Sequence, residues 1–303
     1  MSDHASQVIR AGSSSFAAAA RLFDESTRQS TVMLYAWCRH CDDVIDGQQL
    51  GHGQLEGDRE NGLEQLMALE AATLRACLGQ PDDHPVFIGL AEVVRRHGLP
   101  QHLPMEHLRG FRMDVMHAQY RTLDDTLLYC YRVAGVVGLM MAHVMGTRDA
   151  ATLDRACDLG IAFQLTNIAR DIVEDAKIGR VYVPGEWLDD AGIAVDELTL
   201  PDHRRALAGI AAKLVASADP YYASALDGIG ALPLRSAWSV ATARDVYRAI
   251  GRKVRDLGLH AWDRRVSTSP LAKLWYVARG AAVALVTRGW RLGARPQHLW
   301  QRP

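Results

Sequence analysis

Helical periodicity is the feature that most limits how this chain can fold. Apolar residues recur at three- and four-residue spacing along almost its whole length, and no alternating pattern of useful length predicts a strand. Breaks rich in Gly, Pro or Asp fall at 51–57, 81–85, 98–104, 179–192 and 233. The expected helices are 14–24, 29–46, 60–78, 86–97, 104–117, 123–146, 149–176, 202–227, 235–258 and 270–290. Because no low-complexity linker divides them, we expect one all-α domain over 1–303, a helical bundle around a central cavity.

Charge and composition exclude several classes of protein. The chain carries 34 Lys and Arg against 35 Asp and Glu, so it has no overall basic field for nucleic acid. Its 5 cysteines indicate no disulfide framework and fit a reducing cytoplasm. The N-terminus lacks a secretory pattern, and the most apolar stretch, 133–147, is shorter than the roughly 18 residues that span a bilayer. We therefore expect a cytoplasmic protein that is not integral to a membrane.

Two Asp-x-x-x-Asp segments are the strongest chemical signal. Asp42 and Asp46 share one face of a predicted helix, and Asp171 and Asp175 share a face of another. Like charges at that spacing repel by roughly 0.2–0.5 kcal/mol per pair, so a buried face of this kind needs a counter-charge. Mg²⁺ would supply it, because it prefers oxygen ligands and binds through carboxylates together with substrate phosphates. The alternative, for any isolated segment of this type, is a solvated helix face.

The neighbours of these carboxylates favour a cavity. The second helix has a stripe that is apolar at its start, amide-bearing in the middle and acidic at its end: Cys157, Gly160, Ile161, Gln164, Asn167, Ile168, Asp171 and Asp175. The first helix has a similar gradient along Thr31, Tyr35, Arg39, Asp42 and Asp46. A cavity between two such helices would be apolar at depth and anionic at its mouth. That shape predicts a site for a long hydrocarbon that carries a diphosphate.

Several motifs resemble the squalene/phytoene synthase family in order and spacing, from about residue 13 to 265. They are Ser13-Ser14-Ser15-Phe16, Tyr35-Ala36-Trp37-Cys38-Arg39 with Asp42 to Asp46, Tyr129 to Gly135, Gln164 to Asp175, and Gly179 to Pro184. The last five residues are similar to the end of proteobacterial members of the phytoene-forming branch. The resemblance implies an isoprenoid-synthase-type helical fold, prenyltransferase activity, and Mg²⁺ or Mn²⁺ as cofactor.

The reaction that the resemblance implies is head-to-head condensation of two identical allylic diphosphates. With two C20 geranylgeranyl diphosphates it passes through a cyclopropyl diphosphate to phytoene, the first committed step of carotenoid biosynthesis. The same chemistry on C15 farnesyl diphosphate, giving presqualene diphosphate or a squalene-type product, is the alternative. The phytoene route needs no reductant, and the spacing of Gly51, Gly53 and Gly57 is not a dinucleotide-binding fingerprint, so no NADPH is expected.

Two other functions stay open on the residues alone. A terpene cyclase also uses acidic helices and Mg²⁺, and only the resemblance of the 129–135 and 179–184 segments disfavours it. A non-catalytic lipid-binding scaffold would be favoured by neutral residues at the acidic positions. Both acidic pairs are intact in this chain.

The resemblance also assigns residues, position by position. The metal-binding set is Asp42, Asp46, Asn167, Asp171 and Asp175. The diphosphate contacts, besides Asn167, are Ser13, Ser15, Tyr35, Arg39, Gln164, Arg170, Tyr247 and Arg265. Guanidinium and hydroxyl groups suit that task because they donate to phosphate oxygens. Tyr129 resembles a catalytic tyrosine near the carbocations, where its ring would stabilise a cation and its hydroxyl would assist proton transfer. A structural tyrosine in the core is the alternative.

The segment from Leu271 onward carries no acidic residue. Its basic and aromatic residues are Lys273, Arg279, Arg288, Arg291, Arg295 and Arg302 with Trp275, Tyr276, Trp290 and Trp300. This composition is typical of a segment at an anionic bilayer surface. We expect 271–303 to make peripheral contact with the inner face of the membrane, and downstream carotenoid enzymes to be further partners. The alternative is a helix packed on the domain with a solvated basic side.

Overall fold

The computed structural model describes residues 19–47, 59–290 and 292–303, and the regular structure within these ranges is entirely helical. The helices are α1 (Glu25–Ile45), α2 (Arg59–Cys77), α3 (Pro85–His97), α4 (His102–Val115), α5 (Leu123–Cys130), α6 (Val136–Val144), α7 (Ala150–Lys177), α8 (Gly185–Ala191), α9 (Arg204–Ile229), α10 (Leu234–Leu257) and α11 (Pro270–Val286). Short 3₁₀ turns lie at Val195–Glu197, Pro201–His203 and Gly258–His260. The all-α prediction is confirmed.

Some helices begin at residues that the hydrophobic periodicity does not predict, because capping side chains determine where a helix starts. α1 begins at Glu25 rather than 29, because Asp24 caps it and accepts a hydrogen bond from the Thr27 backbone N–H at 3.0 Å. The predicted break at 179–192 is wrong in its middle, where α8 lies between Pro184 and Gly192. A helix this short shows no detectable period. Residues 14–18 of the predicted helix at 14–24 lie outside the described residues; of 19–24, only 19–20 are helical and the rest form a turn, so the prediction is wrong there.

The predicted helix at 123–146 is interrupted by a π-helical turn at Tyr131–Gly135. Glycines bring this region against α7: a Cβ at Gly138 would lie 2.2 Å from the Ala156 carbonyl oxygen. A Cβ at Gly160 would lie 2.2 Å from the Ala134 carbonyl oxygen. Close packing therefore accounts for glycine within these helices, although glycine costs about 1 kcal/mol there relative to alanine. The stretch Leu123–Val144 is apolar enough to cross a membrane, but 61% of its most apolar window is buried inside the protein.

The longest helix, α7, is central to the bundle and packs along α6, α9 and α10. One of its faces is core, and the opposite face borders a cavity of about 530 Å³. Ile161 and Ile168, which the sequence assigns to the cavity stripe, lie in the core instead. Leu159 and Phe163 line the cavity in their place. The remaining walls come from 19–23, α1, α4, the α5–α6 region, the end of α9, α10, and the connecting segments that carry Arg180, Leu232 and Arg265.

Candidate active site

The cavity changes from apolar to charged along its length. At one end its walls include Phe23, Met141, Met145, Ile229 and Leu232; at the other they include Arg39, Asp42, Asn167, Arg170, Arg180 and Arg265. Along α7 alone, lining residues run from Thr152 to Arg170, a distance of roughly 27 Å at 1.5 Å per residue, with Thr152 and Arg155 as polar exceptions near the apolar end. The predicted gradient, apolar at depth and polar at the mouth, is therefore present.

The acidic pair of α1 lies at the polar end and is held by arginines. Arg39, one turn earlier on α1, forms an ion pair with Asp42. Arg180 forms an ion pair with Asp46 from the loop after α7. Burial, followed by the neighbouring charge of Asp46, raises the pKa of Asp42 to about 6. At neutral pH this carboxyl is therefore close to the range in which it takes up a proton.

The acidic pair of α7 has a matching arrangement. Arg170 Nε donates to Asp171 Oδ1 at 2.8 Å, and Arg265 Nη2 lies 3.4 Å from Asp171 Oδ2. Burial, followed by the charge of Asp171, raises the pKa of Asp175 to about 8, against the opposing effect of Arg180 and Arg170. Asp175 therefore holds a proton at neutral pH until a cation stabilises its charged form.

Arg180 joins the two acidic helices. The chain leaves α7 through Gly179, whose φ of 74° requires a residue without a Cβ, and this turn carries Arg180 back to the cavity. Its charge acts on Asp46 of α1 and on Asp175 of α7. The two carboxylate pairs therefore converge on one end of one cavity. Sequence analysis did not identify Arg180 as a site residue, although its position in the 179–184 motif was a signal.

A further acidic residue, Asp114 near the end of α4, accepts hydrogen bonds from two tyrosines. The Tyr129 hydroxyl donates to Asp114 Oδ2 at 3.2 Å, and the Tyr182 hydroxyl donates to Oδ1 at 2.9 Å. The two rings stack with centroids 4.4 Å apart. Burial raises the pKa of Asp114 to about 7, although Arg180 opposes the shift. Tyr129 is thus buried and lines the cavity. Its hydroxyl donates to the Asp114 carboxyl, which is about half protonated near pH 7. Neither Asp114 nor Tyr182 was identified from the sequence.

Amide and aromatic groups occupy the middle of the cavity. Asn167 Nδ2 donates to Gln164 Oε1 at 3.3 Å, whereas Asn167 Oδ1 is buried with no hydrogen-bond partner among the described residues. Tyr247 of α10 stacks on Phe163 with centroids 4.2 Å apart. Tyr35 lies beside Arg39 on the cavity wall. The orphan amide oxygen matters because a buried acceptor without a partner is costly and indicates a missing donor or cation.

The oxygen atoms at the polar end of the cavity are suitable ligands for a divalent cation that prefers oxygen. Within the described ranges no three Asp, Glu, His or Cys side chains lie close enough to form a ready metal cluster. Asp42, Asp46 and Asp171 are each paired with an arginine instead. The available ligands are nevertheless all oxygen: the four aspartates and the unpartnered Oδ1 of Asn167. The same arginines are the donors that diphosphate oxygens require.

Most predicted site residues share this cavity. Its lining includes Tyr35, Arg39, Asp42, Tyr129, Gln164, Asn167, Arg170, Tyr247 and Arg265. Asp46 and Asp171 are tied to it through ion pairs with Arg180 and Arg170. Asp175 is linked to it through the charges of the same two arginines. Ser13 and Ser15 lie outside the described residues.

Sequence and structure comparisons identify the family. The squalene/phytoene synthase family model matches residues 9–272. A 15-cis-phytoene synthase of Pantoea ananas is 52% identical over 301 residues, 99% of this chain and 97% of that protein. A 15-cis-phytoene synthase of Paracoccus sp. (strain N81106 / MBIC 01143) is 50% identical over 298 residues, 98% of this chain and 96% of that protein. A crystal structure of a dehydrosqualene synthase with ligand has a TM-score of 0.83 at 27% identity, covering 94% of this chain and 96% of that chain. The chain belongs to the squalene/phytoene synthase family.

Proposed function

We propose that this protein condenses two geranylgeranyl diphosphates head to head, through a cyclopropyl diphosphate, to phytoene. The observation that carries the proposal is the convergence of two arginine-paired carboxylate sets, from α1 and α7, at the polar end of one apolar cavity. The names of the relatives that are about half identical support the C20 substrate over the C15 alternative. Cavity chemistry alone supports an allylic diphosphate of either length.

The arginines bind and orient the substrate diphosphate. Arg39, Arg170 and Arg265 come from three different elements and surround the polar end, where each can donate to phosphate oxygens. As the C–O bond breaks, the electron pair leaves with the diphosphate, and this cluster of positive charge stabilises it. The apolar walls keep water away from the carbocation, so that the double bond of the second substrate is the nucleophile it meets.

Asp42, Asp46, Asp171, Asp175 and Asn167 would hold the Mg²⁺ or Mn²⁺ ions. When bound, such ions would supply positive charge that stabilises the departing diphosphate. The protein's own acid–base group at the cavity wall is the pair formed by Tyr129 and Asp114. Asp114 accepts the Tyr129 hydrogen bond and, with a pKa of about 7, can hold the phenol as a proton donor or take up a proton through it. This pair supports the predicted catalytic role of Tyr129.

Product identification tests the proposal. Purified protein is incubated with radiolabelled C15 or C20 diphosphate, with and without Mg²⁺, and the hydrocarbons are separated and identified. We expect phytoene from the C20 substrate, only when metal is added and without any reductant. A C30 product from the C15 substrate would establish the alternative, and a cyclic product would indicate a terpene cyclase.

The cellular setting forms part of the proposal. We propose that the protein acts in the cytoplasm, with peripheral contact to the inner face of the membrane. Its product is a hydrocarbon without a polar group, which the next carotenoid enzymes must receive. Membrane contact would bring product and acceptor enzymes into one phase.

A further inference from the structure

The outer face of α11 is an exposed apolar stripe. Its large members, each between 61% and 80% exposed, are Leu271, Leu274, Trp275, Leu285 and Val286. Ala278 and Ala282 are also exposed and lie between them. At 100° per residue these positions fall within about 60° of one line along the helix, over roughly 22 Å. Large contiguous apolar patches are rare on soluble proteins and mark contact surfaces.

The inner face of α11 packs against α10, so α11 cannot rotate about its axis to bury the exposed stripe. The Trp238 indole N–H donates to the Val277 carbonyl at 2.7 Å, and Ala284 is fully buried. A Cβ at Gly280 would lie 2.4 Å from Thr242 Oγ1, so the backbone of α11 packs directly on α10. The large side chains of the stripe therefore point outward, while Gly280 and Ala284 on the opposite face pack on the protein.

A cleft rich in basic residues adjoins the stripe between α10 and α11. The cleft encloses about 320 Å³, and its charged residues are Arg248, Arg252, Lys253, Arg279, Asp245 and Asp256. Arg248 and Arg279 are paired with Asp219 and Asp245, respectively. The exposed Arg252 has no ion-pair partner among the described residues. The rim of the apolar stripe is therefore cationic on this side.

Two arginines of the C-terminal tail, Arg295 and Arg302, do not contribute to this surface. Arg295 forms an ion pair with the buried Asp158 at 2.7 Å, and Arg302 lies 2.8 Å from Asp154. Both acidic partners are on α7. These two arginines are therefore paired within the protein, and the membrane contact predicted for 271–303 stays a prediction that depends on the rest of the segment. The helix presents an apolar face, and part of its positive rim comes from α10.

We infer that the outer face of α11 docks on an anionic lipid bilayer, with the stripe in the acyl–headgroup boundary and the α10–α11 cleft against lipid phosphates. Charge complementarity favours this occupant, because an apolar helix face bordered by cations is the composition that binds anionic membrane surfaces. A second copy docked through a two-fold contact would pair this patch with itself, and the stripe offers no anionic group to the cationic rim. The inference rests on surface chemistry and does not require the proposed reaction.

Vesicle flotation with matched variants tests the inference. The test variant carries Leu274→Gln, Trp275→Gln and Leu285→Gln. The control carries Met67→Gln, Leu78→Gln and Val195→Gln, which are 61% to 65% exposed on other parts of the surface. Full-length proteins are floated with phosphatidylcholine vesicles or with an equimolar phosphatidylcholine–phosphatidylglycerol mixture. Truncation at Ser269 is unsuitable, because it would also remove the tail that pairs with Asp158.

We expect wild type to float with the anionic vesicles, the stripe variant to lose about tenfold or more in partition coefficient, and the control to stay within about twofold. Arg252→Gln should weaken binding to the anionic mixture without changing binding to phosphatidylcholine. Circular dichroism melts establish that each variant is folded. Equal flotation of wild type and stripe variant would overturn the inference. The inference would also be overturned if wild type did not bind vesicles but formed a dimer, and the stripe variant were monomeric.

Discussion

Metal binding at the polar end of the cavity should be linked to proton release. The pKa of Asp175 is about 8 and that of Asp42 about 6, so both carboxyls hold protons in a range where ordinary aspartates are ionised. A metal ion binds the carboxylate and must displace the proton. Because both pKa values are raised, affinity should increase as the pH rises and level off above the pKa of Asp175.

The size of the effect follows from the fraction of Asp175 that is ionised. At about pH 6, an acid with a pKa of about 8 is ionised in roughly one molecule in a hundred. Lowering the pH from about 9 to about 6 should therefore weaken Mn²⁺ binding about 100-fold. Asp42, half protonated at about pH 6, adds a factor of about two.

Calorimetric titration with Mn²⁺ measures this directly. Repeating the titration near pH 7 in buffers of different ionisation enthalpy counts the released protons, and we expect about one per protein. Asp175→Asn should bind more weakly, with a much flatter pH dependence. Asp189→Asn, on the surface helix α8, should behave as wild type. An affinity that stays constant from about pH 6 to 9 would refute the link between these pKa shifts and the metal site.

Three further substitutions, one of them with a matched control, test the helix packing, the proton pathway and the metal site. Gly160→Ala should lower the free energy of unfolding by about 1–3 kcal/mol, because the added Cβ would meet a carbonyl oxygen. The control Gly209→Ala, which has open space around it, should raise the free energy of unfolding by about 1 kcal/mol, and equal denaturant midpoints for the two variants would contradict the packing. Asp114→Asn should reduce turnover at least about tenfold and remove the pH dependence near 7, and a wild-type pH–rate profile would exclude Asp114 from the proton pathway. Asp42→Asn should lower turnover by about two orders of magnitude or more with an unchanged melting profile, and near-full activity would reject its metal role.

Helical periodicity predicted the fold and the acidic helix faces, and the family resemblance supplied most of the other site residues. The spacing of Gln164, Asn167 and Asp171 along one face of α7 corresponds to the observed cavity and its polar mouth. The same spacing misplaced Ile161 and Ile168, which are core residues. A stripe on a helix covers a broad arc, and the sequence of that helix does not say which neighbour packs against each edge of the arc.

The residues that sequence analysis missed reach the site through tertiary structure. Arg180 comes from a loop and pairs with Asp46, which is 134 positions away in the chain. Asp114 is a single acidic residue near the end of α4, without a periodic partner, and only the fold brings Tyr129 and Tyr182 onto it. The inward pairing of Arg295 with Asp158 likewise depends on where the tail crosses α7. Composition shows that these groups are present, but not their distances.

The central claim is that α1 and α7 together bind metal and diphosphate over an apolar cavity. Crystals grown with Mn²⁺ and an unreactive thiodiphosphate analogue of the C20 substrate, measured at the manganese absorption edge, test it most directly. We predict anomalous peaks between the Asp42/Asp46 and Asp171/Asp175 pairs, with the analogue's chain directed toward Phe23 and Ile229. Manganese peaks at any other location, or an analogue bound outside this cavity, would contradict the claim.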